Sequence, residues 1–216
     1  MNRVITVKGI GNISVKPDLI VLDIRMENRH AEYSKCMKQA SKMIESLRKN
    51  LVGKNFAEDA LKTIDFEITA KYRRVKDSRG DYHDVFDTWL CQHSLKLEFD
   101  LDLERLSEVI SVIGKSDAPP ELNIRFTVAD GTGVCAELLK SATENARKKA
   151  EILCDASNVK LGELLSIDYN WGELSLFSDT EYRDGRDMIY SAPVSMHIDP
   201  ENIKVRDTVA FVWEIV

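Results

Sequence analysis

The sequence predicts an α+β fold in which antiparallel sheets carry helices on one face. Three observations predict it: several segments alternate apolar and polar residues with a period of two, three others repeat apolar residues every three to four positions, and most neighbouring strands read as hairpins.

Taken in order, the segment Val4 to Val15 carries Ile5, Val7, Ile13 and Val15 with Gly9 and Gly11 between them, which reads as a strand bent or bulged at the glycines. Pro17-Asp18 marks a turn. From Leu19 to Met26, Ile20, Leu22, Ile24 and Met26 share one side while Asp23 and Arg25 take the other, so two antiparallel strands are expected to open the chain. Between Ala31 and Leu51 the apolar residues Tyr33, Met37, Ala40, Ile44, Leu47 and Leu51 line one helix face. Ile64, Phe66, Ile68, Ala70 and Tyr72 alternate again, as do Val85, Trp89, Cys91, His93, Leu95, Leu97 and Phe99, with Ser78-Arg79-Gly80-Asp81 as the turn of a long hairpin.

Leu103, Leu106, Ile110 and Ile113 predict a short helix ended by Gly114, and Leu122, Ile124, Phe126 and Val128 a strand after Pro119-Pro120. The longest helix runs from about Gly133 to Asn158 on Val134, Leu138, Ala142, Ala146 and Leu153, with Glu144 four residues before Lys148. Leu165, Ile167, Tyr169 and Trp171 alternate, the segment 172–193 has no period and reads as a long loop, and Val205, Val209, Phe211, Trp213 and Ile215 form the closing strand. The expected order is ββαββαβαββ, with a short strand near Met196 to Ile198 left open. The 216 residues fit a single domain over 1–216 or two intertwined lobes, either large enough to bury a core without disulfides or metals.

Composition bounds the function. A net charge of -6 gives no global attraction to phosphate polymers or anionic lipid, so neither nucleic acid nor a membrane is the expected partner. No stretch approaches the roughly 18 apolar residues of a membrane span, and Met1-Asn2-Arg3 runs straight into the first strand without a signal-peptide pattern. Cys36, Cys91, Cys135 and Cys154 are widely spaced with no C-x-x-C, which fits reduced thiols and a cytoplasmic protein.

No motif carries a reaction. Gly9-Ile10-Gly11 opens like a dinucleotide fingerprint, but Ser14 and a second strand follow where the third glycine and a helix are needed. Cys91 and His93 share a strand face, and Cys135, Cys154, His30, His83 and His197 could complete a metal set, but no zinc-type spacing joins them and the face reads as core. Asp130-Gly131-Thr132-Gly133 resembles a phosphate loop and reads instead as a helix start with Thr132 as its cap. No cofactor or metal is assigned.

The conspicuous feature is the hairpin. Tyr72, Arg73, Arg74, Lys76, Arg79 and Tyr82, with Lys71 beside them, make a basic, aromatic-bearing arm, expected to be solvated or to reach a neighbouring subunit or an acidic partner.

Several stretches resemble the SIMPL domain family. Ile5-Thr6-Val7-Lys8-Gly9-Ile10-Gly11 with Val15-Lys16-Pro17-Asp18 is similar to its opening. Ile124-Arg125-Phe126, then Ala142, Ala146, Lys149-Ala150 and Leu161-Gly162, resemble its strand, alanine-rich helix and exit. Ile198-Asp199-Pro200 and the alternation from Val205 to Ile215 resemble its last strand. The resemblance implies an α+β fold, large ring-like oligomers in some bacterial members, links to stress tolerance or kinase signalling, and no agreed catalytic residue. Many bacterial members carry an export signal, and this sequence departs from them there.

Two readings follow. The leading one is a non-enzymatic, self-assembling or partner-binding protein, a homo-oligomer with a possible stress-related role, using the arm and the 172–193 loop as contact surfaces. The alternative is an enzyme or small-ligand sensor whose pocket lies near that loop, lined by Tyr169, Trp171 and Tyr190.

Overall fold

The computed structural model of the chain describes residues 3–114, 120–170, 172, 174–184 and 198–216. Its elements are β1 (Val4–Val15), β2 (Leu19–His30), α1 (Tyr33–Val52), β3 (Lys62–Lys76), β4 (Tyr82–Asp100), α2 (Leu103–Gly114), β5 (Glu121–Thr127), α3 (Gly131–Ala156), β6 (Leu161–Asp168), β7 (Phe177–Asp184) and β8 (Ile203–Ile215). They form a three-stranded sheet in the order β1-β8-β6 and a five-stranded sheet in the order β3-β4-β2-β5-β7. The α+β class holds, and the order matches the expected one except for an added strand, β7, inside the segment read as a loop. Its sequence, FSDTEYRD, has too few apolar residues to show a period. Of the short strand left open at Met196 to Ile198, Met196 and His197 lie outside the described residues.

The chain divides into two compact units. One comprises Met1–Asp18, Phe126–Thr180 and Pro200–Val216, the other Leu19–Arg125 and Glu181–Asp199.

In the first unit β1 lies antiparallel to β8, and all twelve β1 residues are in register from Val4 opposite Glu214 to Val15 opposite Ile203. Two expectations are corrected here. β1 does not pair with β2, because its partner is the last strand of the chain, 188 or more residues away at each rung. Nor is it bulged at Gly9 and Gly11, where the ladder runs without a shift. The glycines serve packing: a Cβ at Gly9 would overlap the carbonyl oxygen of Ala142, and one at Gly11 that of Leu138. α3 therefore lies almost on the strand backbone, and its buried stripe of Leu138, Ala142, Ala146, Ala150 and Cys154, one residue every four, is made of small residues from Ala142 onward for the same reason. Val7, Val209, Phe211 and Trp213 complete that core.

α3 also closes the free edge of β1. Asn145 Oδ1 accepts from Ile10 N at 3.0 Å, Ser141 Oγ accepts from Asn12 N at 3.5 Å, and Lys149 Nζ donates to Lys8 O at 3.1 Å. Backbone groups that an edge strand would leave open to another chain are thereby satisfied. The helix begins at Asp130, whose Oδ1 accepts from Gly133 N at 2.8 Å. The cap is thus Asp130 rather than Thr132, which lies one residue inside the helix; an ionised carboxylate is the stronger acceptor for an orphan N–H.

In the second unit β2 is antiparallel to β4 over all twelve residues, from Leu19 opposite Asp100 to His30 opposite Trp89. Ile20, Leu22, Ile24 and Met26 are 0–4% exposed and share a face with Leu95, Leu97 and Phe99. Each such side chain contributes roughly 1.5–3 kcal/mol on burial. α1 packs on β2 and β4 through Cys36, Ala40, Leu47 and Leu51 and touches α2. α2 buries Leu106, Val109, Ile110 and Ile113 and is capped by Asp102, whose Oδ1 accepts from Glu104 N and Arg105 N, both at 3.0 Å. No described helix is long and apolar enough to cross a membrane.

Candidate interaction surface

β3 pairs with β4 from Lys62 opposite Lys96 to Lys76 opposite Tyr82, whereas β2 stops pairing with β4 at Trp89. Residues 71–88 therefore run beyond β2 as a two-stranded ribbon. Each limb of about six residues extends roughly 20 Å at the usual rise of a strand.

The turn is built from backbone chemistry. Asp77 Oδ1 accepts from Arg79 N at 2.8 Å and from Asp81 N at 2.9 Å, Gly80 N donates to Asp77 O at 3.1 Å, and Gly80 takes φ 94°, where a side chain would be strained. At the other end of the ribbon the register slips between Lys71 and Tyr72, leaving Asp87 as the extra residue.

Beyond that bulge Tyr72, Arg74 and Lys76 fall on one face opposite Phe86, Asp84 and Tyr82. Tyr72 meets Phe86 edge-on at 6.1 Å. Above the Tyr82 ring sit the Arg74 guanidinium at 5.4 Å and the Lys76 ammonium at 5.7 Å. Tyr72 is 63% and Tyr82 60% exposed. Arg73 lies on the opposite face, 3.7 Å from Asp87, and Arg79 is in the turn. Of the six residues singled out in the sequence, Tyr72, Arg74, Lys76 and Tyr82 thus share a face, and Arg73 and Arg79 do not join them. Phe86 and Asp84 belong to that face and were missed; the signal was the register of the second limb, which places them opposite Tyr72 and Arg74.

Water does not normally meet this much aromatic surface on a two-stranded ribbon without a third strand or a helix to support it. The cations over Tyr82 set positive charge beside exposed aromatic rings, a surface suited to carboxylates and to other aromatic rings.

Elsewhere the reactive side chains are placed in core or in caps. Cys36 and Cys91 are buried together with Ala40 against Ile68 and Trp89. Burial, with the neighbouring Cys36 thiol adding to it, pushes the Cys91 thiol up to about 11. Among the described residues no group of three or more His, Cys, Asp or Glu is placed to hold a metal ion. The Tyr169 hydroxyl donates to Asp207 Oδ2 at 2.8 Å, which raises its pKa, with burial adding to the shift. Trp171 and Tyr190, the other residues expected around a pocket, lie outside the described residues.

The family model described as SIMPL, protein of unknown function (DUF541), matches residues 5–213. The chain belongs to the SIMPL family. That span takes in the close-packed glycines of β1, the alanine stripe of α3, the ribbon and nearly all of β8. Comparison with curated proteins gives no match.

Proposed function

We propose that this SIMPL protein is a non-enzymatic, self-assembling protein, and that the ribbon 71–88 is the arm by which one copy engages another. The observation that carries the reading is the exposed face of Tyr72, Arg74, Lys76, Tyr82 and Phe86 on a ribbon that has no third strand among the described residues. Charge supports a second copy as the partner. Between Lys71 and Asp87 there are five basic and four acidic residues in a chain of net charge -6, so the acidic excess lies outside the arm. Among those four acids, Asp77 is bonded into the turn, Asp87 is next to Arg73 and Asp84 lies opposite Arg74, so on the aromatic face Arg74 and Lys76 outnumber the one carboxylate, Asp84, and favour an acidic surface.

A cytosolic setting accords with four unbonded cysteines, three of them buried. A stress-related role is the setting that the family's links suggest.

Placing a photo-crosslinking benzoylphenylalanine at Tyr82 tests the arm directly. Irradiation should give covalent dimers and higher species from position 82 and none from the exposed helical position Lys38. Exclusively monomeric product at position 82, at tens of micromolar protein, would refute the proposal.

A further inference from the structure

His93 is 8% exposed and lies on the core face of β4. Its Nε2 sits 3.0 Å from Thr63 Oγ1, while its Nδ1 is buried with no partner. The Phe66 ring packs on it edge-on at 4.9 Å. Neutral imidazole fits this site in one tautomer: with the proton on Nε2 donated to Thr63, the only unmet group is the Nδ1 lone pair. A buried lone pair without a partner costs less than a buried N–H without one.

Protonation removes that solution, because Nδ1 then carries an N–H and a positive charge in a site with no acceptor for it among the described residues. The neighbours do little to offset the charge. From α1 the facing group is Arg48, a like charge; from β3 it is Asp65, the one opposing group among the described residues; from β2 it is Met26, paired across the ladder. On β4 itself the same face carries the Cys91 thiol, which stays protonated. Glu27 of β2 is turned away and accepts from Gln92 at 2.6 Å. Burial first, then Arg48, lowers the affinity of the ring for a proton, with Asp65 opposing.

The segment that His93 holds is weakly secured. Lys62 faces Lys96 across the ladder, the register slips between Thr63 and Asp65, and the bulged Ile64 is 58% exposed. β3 is also an edge strand. We propose that His93 is an acid-sensitive latch: neutral, it pins the first residues of β3 to β4 through Thr63, and on protonation it releases residues 62–66 from the sheet. The released segment is the end of β3 remote from the ribbon, separated from it by the paired residues Glu67 to Ala70, and the latch does not depend on what the arm binds.

The sign follows from linkage. A histidine whose folded-state pKa lies below the ordinary 6.5 costs nothing above that value, where both states are neutral. As pH falls through 6.5 the open form takes up a proton that the closed form refuses, and the closed form loses stability down to the lowered pKa.

The test is amide hydrogen exchange on the full chain between pH 7.5 and 5, corrected for intrinsic rates, together with the NMR titration of the His93 ring. Protection of residues 62–66 should fall by up to about tenfold per pH unit below 6.5, while β8 amides keep theirs, and the His93 midpoint should lie below 6.5. In His93→Gln, whose amide still donates to Thr63 but takes no charge, the pH dependence at 62–66 should vanish. A midpoint at or above 6.5, unchanged protection at 62–66, or an equal loss in His93→Gln would overturn the proposal. Should His93→Gln not fold, the wild-type titration and exchange decide alone.

Discussion

Replacing Gly9 by alanine separates two accounts of the G-x-G strand. If the glycines only bend or loosen β1, Gly9→Ala adds a side chain to an open strand and should stabilise by about 0.5–1 kcal/mol, the usual entropic cost of glycine in an element. The structure predicts the opposite sign. The new Cβ would overlap the Ala142 carbonyl oxygen and lie 2.7 Å from the Ala146 Cβ, and the first of these is backbone that cannot rotate away. α3 must move outward, at an overpacking cost of about 1–3 kcal/mol. That motion stretches the bonds from Asn145, Ser141 and Lys149 to the edge of β1, each contributing about 1 kcal/mol. Set against the entropic gain, the net loss is about 2–3 kcal/mol, or a fall of roughly 5–10 °C in Tm for a chain of this size. Urea denaturation followed by far-UV circular dichroism and tryptophan fluorescence together reads the change and shows whether the two units unfold as one. A neutral or stabilised Gly9→Ala protein would refute the close-packing argument.

Three further outcomes follow from the same structure. Asp130→Ala should cost about 1 kcal/mol through loss of the α3 cap, whereas Thr132→Ala should stay within about 0.5 kcal/mol; equal effects in urea unfolding would remove Asp130 from that role. Arg105, whose guanidinium stacks on Phe56 at 4.1 Å beside Phe99, should lose about 1–2 kcal/mol on Arg105→Ala, read by thermal unfolding, and a loss near zero would contradict the stacking argument. A colorimetric thiol reagent at pH 8 should titrate one cysteine rapidly in the native protein, the partly exposed Cys135, and all four after denaturation, because Cys36, Cys91 and Cys154 are 0–1% exposed and the Cys91 thiol is pushed up to about 11. Several fast native thiols would contradict the burial of that core.

The local elements were legible because each carries its own period. Ile20 to Met26 could hardly be other than a half-buried strand, and of the helix face read from spacing Ala40, Leu47 and Leu51 are buried, whereas Tyr33 is 49% exposed and Cys36, outside that reading, is buried instead. Partnership was less legible, because it is decided by residues far apart in sequence. Val7 gives no sign that its partner is Phe211, so two adjacent strands that looked like a hairpin belong to different sheets. β7 escaped for another reason: a short, charged strand shows no alternation that a loop would lack. Exposure was legible only in part. The alternation of Leu165 and Ile167 announced β6, yet they are 47% and 57% exposed, because β6 is an edge strand whose residues 163–168 are exposed on both faces. At the arm, composition marked Tyr72, Arg74, Lys76 and Tyr82, but their common face depends on the register across the turn, which sets Tyr82 opposite Lys76 and which composition does not encode.

The central claim is that the arm joins copies of the chain, and light scattering across a dilution series tests it most directly. The wild-type protein should show a mass well above 24.5 kDa. Arg74→Glu/Arg79→Glu, which reverses two of the exposed cations of the arm, should fall to the monomer mass. A wild-type protein that is monomeric at every concentration, or a reversed-charge variant that assembles as the wild type does, would contradict the account.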